Sequence, residues 1–316
     1  MRKIILLTIS VLWVFVSSAQ QENLFTQFGD AKLFYNPAIA AAEDNFSVTL
    51  RHRNQWSGLQ GAPTGQTILL SFPNIYEAVS LGLTASRNTV GISQRNDISG
   101  IYAYQLKFLN TKVQLGLLAN FRQFINDFTN ENLIAIDGFD EDSAIDQQLF
   151  SRNLFNVGAG VHLDKDNFYA GISVPRLVQS NLDFDTDATP SIEARILYAM
   201  FGLRFDLGPT WSFRQHSLLK LSESAPPDLD LQAQFIYENQ AHLGLNIRSG
   251  GSQNSLLESV AVLLGFRFTP SIFAMMSYDF STTELSNHQN GSFEILLRYD
   301  LKQVKMPKKI QNPRYY

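Results

Sequence analysis

Five histidines, at positions 52, 162, 216, 242 and 288, are the side chains best suited to acid–base or metal chemistry. They fall in separate segments with no ligand spacing between them, and isolated strand histidines usually act as packing. The chain has no H-E-x-x-H zinc helix, no G-x-S-x-G nucleophile elbow and no P-loop. It has no cysteine, hence no thiolate, no disulfide framework and no lipid-bearing cysteine behind a leader. The loop Gly138 to Asp146 gathers Asp140, Glu141, Asp142 and Asp146, which suits a hard cation, but it lacks the alternating acids and closing glutamate of an EF-hand. It reads as a solvated loop. No catalytic, cofactor-binding or metal-binding residue is assigned, and an enzyme is not expected.

Binding chemistry is better represented. Arg51, Arg53, Asn54 and Gln55 lead into Trp56, Gly58, Gly61, Ala62 and Pro63. The glycines and the proline supply turn geometry that a loose tether does not need, and Trp56 offers an aromatic anchor for an interface or a partner. The second group is the tail. Beyond Leu301 it carries Lys302, Lys305, Lys308, Lys309 and Arg314 without one acid and ends on Tyr315 and Tyr316. Such a tail is a candidate for contact with a periplasmic partner, or simply a solvated end. The formal net charge of −4 gives no support for nucleic-acid binding.

The elements that must carry these residues are strands. Phe46, Val48, Leu50 and His52 alternate with Ser47, Thr49, Arg51 and Arg53, a period of two. The same pattern returns over 241–248, where Leu243, Leu245 and Ile247 alternate with Gly244, Asn246 and Arg248, and again over 293–300. Further strands are expected near 64–73, 77–86, 96–107, 111–121, 153–163, 166–174, 192–205, 210–221, 229–237, 256–268 and 270–280. The links between them are by turns short and long, with long ones near 54–63, 87–95, 122–152, 175–191, 222–228, 250–255 and 281–290. About fourteen strands with alternating link lengths predict an all-β antiparallel transmembrane barrel. A β-sandwich has no reason to alternate its loops. Residues 192–205 are apolar on both faces, which implies a strand either misregistered here or covered from inside.

The ends fix the expected compartment. Residues 1–19 combine Arg2 and Lys3, an apolar run over 4–16 and Ser17-Ser18-Ala19, the three parts of a secretory signal peptide. Mean hydropathy is −0.08, and no later stretch is long and apolar enough for a membrane helix. The reading divides the chain into a signal peptide (1–19), an N-terminal segment at or in the periplasmic mouth (20–43), an outer-membrane barrel (44–301) and a basic periplasmic tail (302–316). The bilayer is then the first partner.

Three blocks carry a resemblance. Phe25-Thr26-Gln27-Phe28 with Leu33 to Ala38, then Arg51 to Pro63, then Thr67 to Pro73 resemble the PorP/SprF outer-membrane proteins of the type IX secretion system of Bacteroidota. The stretch Gly291 to Ile295 and the Pro-Arg-Tyr-Tyr end are similar too. Ala41-Ala42 departs from that family, which commonly places a glycine there. The resemblance implies a role in exporting or anchoring a client such as a large adhesin, in gliding motility for some members, and contact with type IX components in the outer membrane and periplasm. The alternative is a pore or hydrophobic-substrate transporter of the fatty-acid-transporter type, which shares the strand number and an N-terminal hatch.

Overall fold

The computed structural model describes residues 25–301 except 77, 109–110, 130–148, 182–191, 224 and 251–256. The strands run β1 Phe46–Asn54, β2 Thr64–Tyr76, β3 Val79–Val90, β4 Ser93–Phe108, β5 Thr111–Asp127 and β6 Leu149–Lys165. They continue as β7 Phe168–Val174, β8 Ser180–Asn181, β9 Ile192–Glu193, β10 Ile196–Asp206 and β11 Trp211–Ser222. The last five are β12 Asp228–Tyr237, β13 Ala241–Gly250, β14 Ser259–Arg267, β15 Ile272–Ser281 and β16 Ser292–Leu301. Fourteen of these close into one antiparallel barrel, with β1 paired to β16, while β8 and β9 form a separate two-stranded pair between β7 and β10. The described residues contain no α-helix.

Alternation sets the faces. On β1, Leu50 is 43% exposed on the outside, whereas Arg51 and Arg53 are 4% and 5% exposed on the inside. A slip of one residue would move both guanidiniums into hydrocarbon, so the register is strongly specified. On β13, Leu243, Leu245 and Ile247 face out, and His242, Asn246 and Arg248 face in and are buried.

Three expected boundaries change. The link expected over 87–95 is a tight turn at Gly91-Ile92, because β3 and β4 remain paired from Val79↔Tyr104 to Val90↔Ser93. Likewise β5 and β6 pair out to Asp127↔Leu149. These strand ends mix polar residues with scattered apolar ones such as Phe124, Ile125, Leu149 and Phe150 and lack the alternation that marks a lipid-facing strand, so they read as loop. The strand expected over 192–205 begins at Ile196, with Ile192 and Glu193 drawn off into β9.

Residues 25–43 lie inside the barrel and reach deeper than its mouth. They form three short 3-10 turns, Phe28–Asp30, Lys32–Phe34 and Pro37–Ala41. Pro37, at the first turn position, has no N–H to leave unpaired, and the Asn36 side-chain Oδ1 caps the turn by accepting from Ala38 N at 3.0 Å. Thr26 sits beside Arg53, at the loop end of the barrel. Lys32 lies 4.2 Å over the ring of Tyr169 near the tight-turn end, and Glu43 hydrogen-bonds Arg298 just before β1 begins. Phe25, Phe28 and Tyr35 pack on Ile196, Tyr198 and Met200. That contact explains the two apolar faces of β10: one meets lipid and the other meets this segment. Room comes from glycine. A Cβ on Gly116 would meet Ala38 N at 2.2 Å, and one on Gly160 would meet Asn36 Oδ1 at 2.2 Å.

Candidate functional site

The residues singled out for binding gather at the loop end. Arg51, Arg53 and Asn54 finish β1, and Gln55 to Pro63 form the link to β2. That link closes on itself through Gln55 N to Pro63 O (2.9 Å), Leu59 N to Trp56 O (3.1 Å) and Ala62 N to Leu59 O (3.2 Å). It is braced on both sides. Ser57 exchanges backbone hydrogen bonds with Gly291 and Asn290 at 2.8 Å each, and Gly91 N donates to Gly61 O at 2.9 Å. Gly58 and Gly61 have φ of 93° and 72°, where a side chain is strained. Trp56 itself is held at φ 53°, rare for a bulky residue, with its N–H donating to Ser292 Oγ at 3.0 Å. Trp56 is half-buried, while Gly58, Leu59, Gln60 and Gly61 are exposed at the tip.

Beneath this loop lies a buried charge network. Arg53 pairs with Asp279 at 2.6 Å and with Glu294 at 3.1 Å, and donates to Thr26 Oγ1 at 2.9 Å. Glu294 also accepts the backbone N–H groups of Thr26 and Gln27 at 3.0 and 3.2 Å. The Arg51 guanidinium lies 3.1 Å from the centre of the Phe25 ring, a cation–π contact. Beside it Asp230 binds Lys220 at 2.8 Å and Arg248 at 2.9 Å. Farther round, Arg122 hydrogen-bonds both Asp97 and Glu193, and Arg176 pairs with Glu193 at 3.2 Å. Glu193 thus ties the β7–β10 link into the lumen. Asp279, Glu294, Asp230 and Glu193 were not singled out in the sequence. Their one signal there is a carboxylate on the inward parity of a strand.

The histidines divide by face. His52 lies on the outer face of β1 and His288 is exposed in a loop, whereas His162, His216 and His242 are buried in the lumen. The Tyr169 hydroxyl and His216 Nδ1 lie 2.7 Å apart, and the His162 ring is 5.4 Å from that of Tyr169. They pack against the inner segment, and among the described residues no group of three or more His, Cys, Asp or Glu is placed to hold a metal ion. Glu43 is held below the ordinary carboxylate range: burial raises it, but the charge and hydrogen bonds of Arg298 outweigh that.

Two small cavities lie at the loop end of the lumen among the described residues. One cavity of about 30 Å³ lies among Phe34, Asp97, Arg122 and Arg176, and another among Phe25, Arg53 and Asn88. A larger one of about 630 Å³ opens at the tight-turn end beside Glu43, Asn74, Gln105, Lys107 and Lys112. Residues 1–19, expected to be a signal peptide, the acidic loop 138–146 and the tail residues Lys305, Lys308, Lys309, Arg314, Tyr315 and Tyr316 lie outside the described residues.

Comparison with protein families matches residues 17–299 to the family described as type IX secretion system membrane protein PorP/SprF. No curated protein matches the chain. Among solved structures, a Pseudomonas aeruginosa FadL homologue is similar at 12% identity, covering 84% of this chain and 92% of that one with a TM-score of 0.47. The outer membrane protein Omp33 of Acinetobacter baumannii is similar at 8% identity, covering 83% and 100%, with a TM-score of 0.46.

Proposed function

The chain belongs to the PorP/SprF family of type IX secretion system membrane proteins, and from that premise we propose that it is a non-catalytic outer-membrane accessory supporting export or surface anchoring of a client protein. The observation that carries this reading is the combination of a filled lumen and a braced loop. Residues 25–43 occupy the interior, and the loop-end cavities beside them hold about 30 Å³ each, far too little for a polypeptide to pass. A client therefore docks on the barrel and does not cross it. With tight turns in the periplasm and longer loops outside, the Trp56–Pro63 loop stands at the cell surface. Its exposed tip and half-buried Trp56 are a rigid docking element, which avoids the ordering entropy of a mobile loop. Large adhesins are the kind of client this surface serves, and gliding motility is the process it would support. On the other side, Lys305, Lys308, Lys309, Arg314, Tyr315 and Tyr316 reach periplasmic components of the same apparatus, a contact that weakens with salt.

The test is Trp56→Ala in cells that display the client. Display should fall several-fold while heat-modifiable barrel in the outer membrane stays at the wild-type level. If display falls only in step with the barrel, Trp56 is structural and the docking role is lost.

A further inference from the structure

The ring closes where β1 meets β16, along nine residue pairs from Phe46↔Leu301 to Asn54↔Phe293. These are the first and last strands of the barrel, so their pairing closes the longest loop of chain and carries the largest closure entropy. Non-local pairing of this kind is slow. The inner face of the seam does little to drive itself shut. It presents Ser47, Thr49, Arg51 and Arg53 on one strand and Ser292, Glu294 and Arg298 on the other, with Leu296 its one fully buried apolar side chain.

We propose that the pocket built by Arg53, Asp279 and Glu294 is a peptide-binding site whose ligand is the chain's own Thr26–Gln27, and that its occupation clasps β1 to β16. The Glu294 carboxylate accepts two consecutive backbone N–H groups of that segment, a geometry that a turned backbone offers, since its successive N–H groups converge on one anion. The Thr26 hydroxyl donates to Asp279 Oδ1 at 2.6 Å and accepts from Arg53 at 2.9 Å. Gln27 Nε2 donates to Ser277 Oγ at 3.1 Å and to the Glu294 carbonyl at 3.0 Å. Two residues of the inner segment therefore bind β1, β15 and β16 together. Phe25 covers Arg51, whose guanidinium nitrogens have no hydrogen-bond partner. Glu43 repeats the clasp at the opposite end through Arg298 of β16. In the unclosed barrel the segment supplies what the seam lacks: hydrogen-bond donors for two carboxylates whose cations are Arg53 and, at 4.0 Å from Glu294 without a hydrogen bond, Arg51.

The absence of cysteine makes the test direct. Leu50→Cys with Leu297→Cys reports the seam, because those positions are direct partners. Leu117→Cys with Ala159→Cys reports the β5–β6 hairpin in the same way. Both pairs are followed by cross-linking during refolding of the full chain into lipid vesicles. Thr26→Val with Gln27→Leu should slow cross-linking at the seam roughly tenfold, the factor expected for loss of charge-assisted hydrogen bonds, and leave the β5–β6 rate unchanged. Thr26→Ser alone should keep the wild-type seam rate. Asp30→Asn, whose partner Gln234 lies on β12 away from the seam, should also leave both rates unchanged. Equal slowing or loss of both pairs, no slowing of either, or seam slowing in Asp30→Asn would overturn the proposal.

Discussion

At the scale of the residue, Arg53 organises the loop-end lumen. Its guanidinium faces two carboxylates, Asp279 and Glu294, with all three side chains nearly excluded from solvent. Removing it leaves Asp279 without its ion-pair partner and Glu294 with only the more distant Arg51 at 4.0 Å, a change that costs about 3–5 kcal/mol in comparable buried pairs. Arg53→Ala should therefore lower the midpoint of denaturant unfolding from lipid vesicles markedly, and Arg53→Lys should recover part of the loss, since one ammonium cannot span both acids as the planar fork does. An unchanged midpoint in Arg53→Ala would show that the network adds nothing to stability. That Arg53 points inward is legible in the sequence, because parity alone places it. Its partners are not, since nothing in the spacing of positions 53, 279 and 294 records that β1 closes against β16.

At the scale of the element, the inner segment depends on glycines in the wall. Gly116→Leu would drive a side chain into the backbone of Pro37 and Ala38, where no flexible neighbour can give way. The segment should leave the lumen while the barrel still forms, and limited proteolysis should then cut within 25–43, which the wild-type barrel protects. The strap at Glu43 adds a pH dependence. Its carboxyl is held below the free value of 4.5, so its contribution is present above that value and fades as pH falls through the lower folded value. Protease sensitivity of the segment should rise in that acid window. Glu43→Gln should flatten the response, and an identical profile in that variant would assign the transition to another group.

At the scale of the whole molecule, lipid surrounds one face of every strand and charge lines the other. Leu50 stands in the middle of β1 on the lipid side, so Leu50→Arg should cost about 2–4 kcal/mol in membrane stability, the expected penalty near the midplane. Arg51, its neighbour, sits in the lumen at no such cost. The filled interior also sets conductance. Wild-type protein in a planar bilayer should pass little current, and Gly116→Leu should pass more once its inner segment is displaced. Steady porin-like conductance of the unmodified chain would contradict a sealed barrel.

The sequence by itself determined the strand count, the inward and outward faces and the membership of a membrane barrel class, because those follow from a period of two and from the price of charge in hydrocarbon. It also marked 20–43 as unfit for a strand and 192–205 as either misregistered or covered from inside. Only the tertiary structure decided what covers that strand and how far Phe25 reaches. The same holds for the pairing of Arg53 with Asp279 and Glu294, for Glu193 joining Arg122 and Arg176, and for Tyr169 lying between His162 and His216. The pairs of Arg53 with Asp279 and Glu294, of Arg122 with Glu193 and of Tyr169 with His216 join segments far apart in the chain, brought together by the closed ring. Local pattern carries the orientation of a side chain but not the identity of its neighbour across the lumen. The ends of β3 to β6 read as loop for the complementary reason: backbone pairing continues there after the alternation stops, and pairing leaves no mark on side-chain pattern.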